Sequence, residues 1–539
     1  MAHFKSFVFS KSRSRSFLWK LCIGTVLFGF ALGFFLSYFN FESEVGLRAK
    51  IETRLLSDNS GMTTVVEIPN RMTEVVLEVL EEDLVAGDLA IEDLLIEIPS
   101  LQAWIRSTQY RDFETLFQRY LPEADSEMAV LFLRSYGDEA EIAKARLLEL
   151  AGQTPIRRYA NQVLGLIATQ AELYNSAYGH YLKEGEIPEA QWAREQVVVN
   201  RHHVNDFETL KSLANNPLYN SAFSPWIQAE LAIDDRDWLN SVKWIILSQL
   251  AGIQMGSFIL ATIAMVVWAT ILLQLCQISH FDKFTPLLCL LALLLGILSI
   301  TPTLFWIMLE DTFLPISSGE DLFHNIVYYI ATVGLREEFC KLLLLLPLVP
   351  ILVKRGNQME FLLVASFVGL GFAYEENLNY LSSTMGTATT ARFLTANFLH
   401  ISLTGMSGLF FCRMWRVKTY SYNDFLFIFG VAIIAHGLYD ALLSSPEMND
   451  GGMLAMILFV LFSRFYFREA NALQEIAKPL VSLSATMAVG VSLILASMLV
   501  YLSIVLNTSS AFQLTFGSFL GSAIILFMFF REFNETLHD

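Results

Sequence analysis

Cysteine is scarce in this chain: there are five among 539 residues, and Cys22, Cys276, Cys289, Cys340 and Cys412 all lie in or beside apolar runs. Residues 41–243 contain none, which excludes a disulfide framework and a thiolate zinc site from that stretch. Charge is thin as well, 17% of residues, and basic residues are the minority, 36 against 53 acidic ones for a net charge of -17. Such a deficit excludes a binder of phosphate backbones, so no nucleic-acid partner is expected. Long polar low-complexity tracts are also missing, which excludes a disordered chain. What is there instead is 54% hydrophobic residues and a mean hydropathy of +0.47. Several apolar runs reach about twenty residues, the length that spans a hydrocarbon core.

The acidity is concentrated. Residues 41–243 hold 34 Asp and Glu against 18 Lys and Arg, and the remainder of the chain holds 19 against 18. An acidic soluble insert is thus joined to a near-neutral membrane body. The expected fold class is an all-α polytopic membrane protein, a bundle of about ten transmembrane helices with an extracytoplasmic α-helical insert.

Residues 1–20 form a basic head with Lys5, Lys11, Arg13, Arg15 and Lys20, and residues 21–38 follow as an apolar run without a small-residue cleavage site. This reads as an uncleaved signal anchor with its amino terminus in the cytoplasm. Further spans are expected at about 251–275, 286–309, 325–353, 361–383, 393–412, 425–443, 453–467, 480–506 and 512–530. Loops that this order assigns to the cytoplasm carry Lys283, Lys354, Arg355, Arg413, Arg416, Lys418, Arg468, Lys478 and Arg531. Those assigned to the outside carry Glu310, Asp311, Glu320, Asp321, Glu447 and Asp450, with Arg392 the basic exception. The bias fits a multi-pass protein of the plasma or inner membrane with residues 41–243 outside the cytoplasm. The domains expected are therefore that insert, two helices over 251–309, a core over 320–445 and three further helices over 446–539.

Within the insert, residues 171–183 put Leu173, Ala177, Tyr178 and Tyr181 at helical spacing, a Gly-Glu-Ile-Pro turn follows, and 189–199 repeats the spacing. This αα-hairpin resembles a tetratricopeptide-type unit over about one repeat. Residues 65–98 alternate acidic and aliphatic positions and read as amphipathic helix or strand. The pentapeptide Asp112-Phe113-Glu114-Thr115-Leu116 recurs at Asp206-Phe207-Glu208-Thr209-Leu210. His180, His202 and His203 read as packing or solvated groups, and His280, in a cytoplasmic loop, and His324, near the outer surface, are left unassigned. Asn507-Thr508-Ser509 is formally a glycosylation acceptor, set too close to an apolar run to weigh.

Four consecutive spans hold polar residues that lipid disfavours. They are Glu337, Glu338 and Lys341, then Glu375, Glu376 and Asn377, then Asn397 and His400, then His436 and Asp440. Lys341 stands four residues from Glu337 and three from Glu338, and Asp440 four from His436, so each pair shares a helix face. At ~1.5 Å rise per residue, the acids and histidines lie roughly 18 to 25 Å from the cytoplasmic ends of their helices, one layer in the outer half of the membrane. So many desolvated ionisable groups at one depth point to a reaction site.

Glu337-Glu338-x-x-Lys341, Phe372-x-x-x-Glu376-Asn377, His400 and His436-x-x-x-Asp440 resemble the motif series of the PrsW family of intramembrane proteases, relatives of the type II CAAX prenyl endopeptidases. The resemblance implies hydrolysis of a peptide bond in or near the membrane, with Glu337, Glu338, Glu376, His400, His436 and Asp440 as the catalytic set and Lys341 and Asn377 in support. It implies Glu337 as general base, with His436 and Asp440 lining the place where charge develops on the scissile carbonyl. Prenyl-peptide relatives carry Arg and Asn where this chain has Lys341 and Asp440, so Asp440 either orients His436 or donates as a protonated acid. No metal cofactor is favoured. Zinc is the alternative, held by Glu337, Glu376, His400 and His436. The expected partners are the bilayer, a membrane-protein substrate of which a single-span anti-sigma factor is the type the family suggests, and a protein partner for residues 41–243. A proton-coupled carrier and a non-catalytic scaffold are the competing readings.

Overall fold

The computed structural model describes residues 2–38, 68–102, 110–277, 282–313, 322–444, 451–474, 481–506 and 508–533, with the isolated positions 47, 50, 51, 54, 105 and 535. The expected topology markers Glu320, Asp321, Glu447, Asp450 and Lys478 lie outside the described residues, as do His280 and Asn507. Every regular element among the described residues is a helix. The chain divides into two units, Ser43–Trp244 and the combination of Met1–Glu42 with Ile245–Asp539.

The unit Ser43–Trp244 is built from short amphipathic helices; from Tyr110–Tyr120 to Pro225–Asp234 most pack on the next in the chain, while Ile68–Ala86 packs on Tyr110–Tyr120 and Ile91–Leu101 on Glu123–Arg134. Helical spacing places Ile91, Leu94, Leu95, Ile98 and Leu101 on the buried side of Ile91–Leu101, and Phe113, Leu116 and Phe117 on that of Tyr110–Tyr120. The stretch left open between helix and strand is helical, as Ile68–Ala86 and Ile91–Leu101. The expected hairpin is formed by Tyr174–Glu184 and Gln191–His203. Its inner face differs from the expected one at Leu173, which is 59% exposed, while Ala177 and Tyr181 are fully buried. The two copies of the pentapeptide sit in different registers. Asp206 caps Phe207–Ala214 by accepting from the Thr209 amide, whereas Asp112 lies inside its helix. The Ala160–Gln170 helix lacks a cap of its own. Its amides at Tyr159 and Gln162 are met instead by the buried Glu184 carboxylate, at 2.6 and 3.3 Å. Burial pushes that carboxyl up and these amide donors pull it back.

In the other unit, among the described residues, six helices are long and apolar enough to cross a membrane: Arg15–Tyr38, Met255–Leu275, Thr285–Phe313, Gln358–Ser383, Tyr422–Ser444 and Leu483–Val505. Thr508–Gly521 and Ala523–Phe533 form a seventh if their 49° bend lies within one span. The three other expected spans are helical but fall short of that test. Residues 322–355 are interrupted by a π turn at Ile330–Gly334 and a 3-10 turn at Leu346–Leu348. Ala396–Arg416 and Gly451–Leu473 carry charged residues, and two of these, Arg413 and Glu469, pair at 3.0 Å.

Gln358–Ser383 is the central helix. It is surrounded by Thr285–Leu298, Met255–Leu275 and Ala396–Arg416, so it is buried on nearly every side. Gly371 and Gly296 allow the closest of these approaches, to Thr285–Leu298, and Gly369 allows a close one to Ala396–Arg416, because a Cβ there would lie 2.3 Å from the His400 carbonyl oxygen. That contact lays the Glu376 helix directly against the His400 helix.

Candidate active site

The first carboxylates of the site follow the π turn. Gly334 at its end and Gly437 on the Tyr422–Ser444 helix meet backbone to backbone: a Cβ on Gly334 would lie 2.4 Å from the Ile433 oxygen, and one on Gly437 2.4 Å from the Ile330 Cα. π turns recur where a functional side chain must be re-aimed. Here the turn delivers Glu337 and Glu338, in the first turn of Leu335–Leu345, to His436 one residue before Gly437.

Lys341 is fully buried beneath them. Its ammonium donates to Glu338 Oε1 at 2.8 Å, lies 3.4 Å from Glu337 Oε2 and 2.9 Å from His400 Nδ1, and stands 3.8 Å from the centre of the Phe372 ring. The cation is thereby compensated by two acids inside the bundle. His400 turns its other nitrogen to Glu376 Oε2 at 2.8 Å. His436 Nδ1 bonds Glu338 Oε1 at 2.9 Å, and its Nε2 faces Glu337 and Asp440, each at 3.4 Å. The two imidazole rings are 5.0 Å apart, edge to face.

All eight expected residues are thus in one connected cluster on four helices. Arg336 and Glu375, which the sequence left unassigned, point elsewhere: Arg336 pairs with Glu310 at 2.7 Å, and Glu375 accepts from Gln249 at 3.1 Å. Three further residues join the cluster, of which the sequence singles out Asn397 beside His400 without giving it a role. Thr404 donates to Glu338 Oε2 at 3.4 Å, and Asn397 accepts from Asn377 at 2.5 Å. Arg392, noted only as an odd charge in an outer loop, reaches Glu376. That oddity was the available signal for it.

Exposure separates the two glutamates. The Glu338 side chain is 1% exposed and Lys341 0%, whereas Glu337, Glu376 and Asp440 are 13, 22 and 30% exposed. Glu337 is the more accessible of the two, and Glu338 is enclosed against His436.

Glu337, His400 and His436 each offer a ligand atom within 4.8 Å of the others. Two imidazoles and a carboxylate form a catalytic-zinc donor set, and the carboxylate behind His436 Nδ1 is the usual support for such a ligand. The facing of His436 Nε2 by two carboxylates also calls for a proton or cation between them, since oxygen lone pairs otherwise oppose a nitrogen lone pair. These residues therefore fit a divalent metal. Glu376, the fourth donor of the expected set, lies on Arg392 and His400.

Residues 285–465 match the family described as PrsW family intramembrane metalloprotease. The match is wider than the motif-bearing stretch 320–445 and takes in helices on both sides of it. No curated protein and no solved structure matches the chain. The ordered motifs, gathered by the fold at one point inside a helix bundle, and the match over those same helices show a multi-pass membrane protein whose residues 285–465 carry a protease domain like that of the PrsW family of intramembrane proteases.

Proposed function

We propose that the chain hydrolyses a peptide bond of a membrane-anchored protein near the outer face of the plasma or inner membrane, a single-span anti-sigma factor being the type of substrate the family suggests. The observation that carries this reading is the convergence of Glu337, His400 and His436 within 4.8 Å, with Glu337 partly open to water. Glu337 takes a proton from the attacking water as the new C–O bond forms, and returns it to the departing amine as the C–N bond breaks. Glu338, held by Lys341 and Thr404, fixes His436 through Nδ1, so that Nε2 faces the reacting atoms together with Asp440. A peptide carbonyl entering beside Nε2 meets a prearranged polar wall in place of lipid.

With a metal present, Glu337, His400 and His436 would hold it, zinc by donor type, which would supply a polarised water at neutral pH, and Glu337 would then serve as ligand in place of base. A second, metal-free reading has one observation in its favour. The Lys341 ammonium already places a cation among the same donors. The two separate in one experiment: cleavage of a panel of tagged single-span membrane proteins by purified wild type and Glu337→Gln, each with and without a strong chelator. Glu337→Gln is expected to lose at least about 10²-fold in rate. Loss on chelation, restored by zinc, supports the metal; cleavage indifferent to chelator supports the lysine-compensated glutamate. Full activity in Glu337→Gln sinks both.

The same reading keeps about ten crossings, a cytoplasmic amino terminus and an extracytoplasmic insert. The insert acts as a recognition module that binds the substrate or a partner protein. Nothing in the cluster favours a proton-coupled carrier.

A further inference from the structure

Arg392 lies in the short helix Thr389–Leu394, which follows the Gln358–Ser383 helix after one turn of loop. Its guanidinium is directed back onto that helix and meets three of its residues. It pairs with Glu376 Oε2 at 2.8 Å, donates from Nε to Asn377 Oδ1 at 2.5 Å, and stacks 3.9 Å from the centre of the Tyr380 ring. Asn377 passes the contact on, donating to Asn397 at the start of the His400 helix. With 15% of its side chain exposed, the cation is largely desolvated, and its partners are side chains of the site.

The effect falls on His400. An ammonium has donors only, so Lys341, 2.9 Å from Nδ1, requires that nitrogen to accept. A neutral ring then carries its proton on Nε2 and donates it to Glu376 Oε2 at 2.8 Å. Arg392 holds that same oxygen. Freed from it, a carboxylate that is 22% exposed can turn to water, and His400 loses the acceptor that sets its tautomer and ring plane.

We propose that Arg392 is a positioning residue of the hydrolytic site: it clamps Glu376 against His400 and so fixes the His400 ring for reaction. The role rests on the proteolytic reading above, and the primary test does not need a substrate. The full chain is labelled with 15N-histidine in lipid nanodiscs, and the His400 signals are assigned by their loss in His400→Gln. Wild type is expected to show His400 with its proton on Nε2. In Arg392→Gln that signal is expected to move to a mixture of tautomers, while circular dichroism and melting stay close to wild type. An unchanged His400 signal in folded Arg392→Gln overturns the proposal whether or not any substrate is ever cut. If Arg392→Gln does not fold, Arg392→Lys replaces it: the ammonium keeps the charge without the fork, and a His400 signal identical to wild type then overturns the clamp. On any tagged protein that wild type cuts and Glu337→Gln does not, Arg392→Ala is expected to lower kcat by about 10–100-fold. KM should stay within about twofold, and added guanidinium ion should restore part of kcat. A rise in KM at constant kcat would make Arg392 a substrate contact and overturn the proposal.

Discussion

At the residue scale, roles in this protein are set by which atom of a neighbour a side chain reaches. Glu337 and Glu338 are adjacent in sequence and indistinguishable in type. Glu338 is sealed under His436, Lys341 and Thr404, and Glu337 is partly exposed. The same lesson holds in the insert. His202 meets Glu230, 28 residues further along, and Glu230 also accepts from Trp226 at 2.7 Å. The hydrogen bond from Glu230 raises the His202 pKa, and partial burial opposes it. A group whose folded value is raised stabilises the fold fully below its unfolded value, about 6.5 for imidazole, and the gain is lost as pH rises through the folded value. Protection from hydrogen exchange in Gln191–His203, corrected for intrinsic rate, is therefore expected to fall in wild type as pH rises above the unfolded value. Glu230→Gln should flatten that profile, and an unaltered profile would exclude the pair as its source. The sequence showed the helix-local partners, Lys341 below the two glutamates and Asp440 below His436, because three- and four-residue spacing encodes them. It could not show Glu230 beside His202 or Arg392 beside Glu376, since those contacts depend on how separate helices lie.

At the scale of elements, the expected span over residues 325–353 is a broken helix. Pro347 and Pro350 mark the 3-10 turn at Leu346–Leu348, since proline removes a backbone donor there. The π turn before Glu337 has no comparable mark except Gly334, whose small size is needed because the Gly437 backbone lies against it. Hydropathy located most of the helices. It could not settle the number of spans, because Arg413 and Glu469 neutralise each other between two helices that read as charged when taken singly. The glycine contact makes a prediction. Gly437→Ala forces a Cβ to within 2.4 Å of the Ile330 Cα, so the two backbones must part, at a stability cost of ~1–3 kcal/mol typical of overpacking. His436 and Glu337 stand on either side of that contact, and a displacement of about 1 Å between them is expected to cost about 10²-fold in kcat. Measured together, a modest fall in melting temperature with a large fall in turnover supports this. Equal turnover at reduced stability would show that the π turn serves packing alone.

At the scale of the whole molecule, hydrophobic burial is partitioned in the way the charge is. One apolar core gathers residues between Leu47 and Leu166, and a second those between Ala168 and Leu231. The largest membrane core joins Ala264 to Phe533 and contains no residue of Ser43–Trp244. Because burial is the main source of stability, each unit has its own reason to fold. Removing residues 43–237 should leave the membrane core in place, together with Gln249, whose side chain bonds Glu375 next to the site. Hydrolysis is expected to survive this deletion, because every residue of the cluster lies between Arg336 and Asp440. Substrate choice is expected to change, because an acidic surface of 34 Asp and Glu against 18 Lys and Arg imposes a long-range preference for basic partners that the near-neutral membrane unit lacks. The measurement is the cleavage pattern over the tagged single-span panel at low and high salt, for the full chain and the deletion. A pattern that widens on deletion and loses its salt dependence assigns selection to the insert; an identical pattern removes that role and leaves choice to the helices around Glu337.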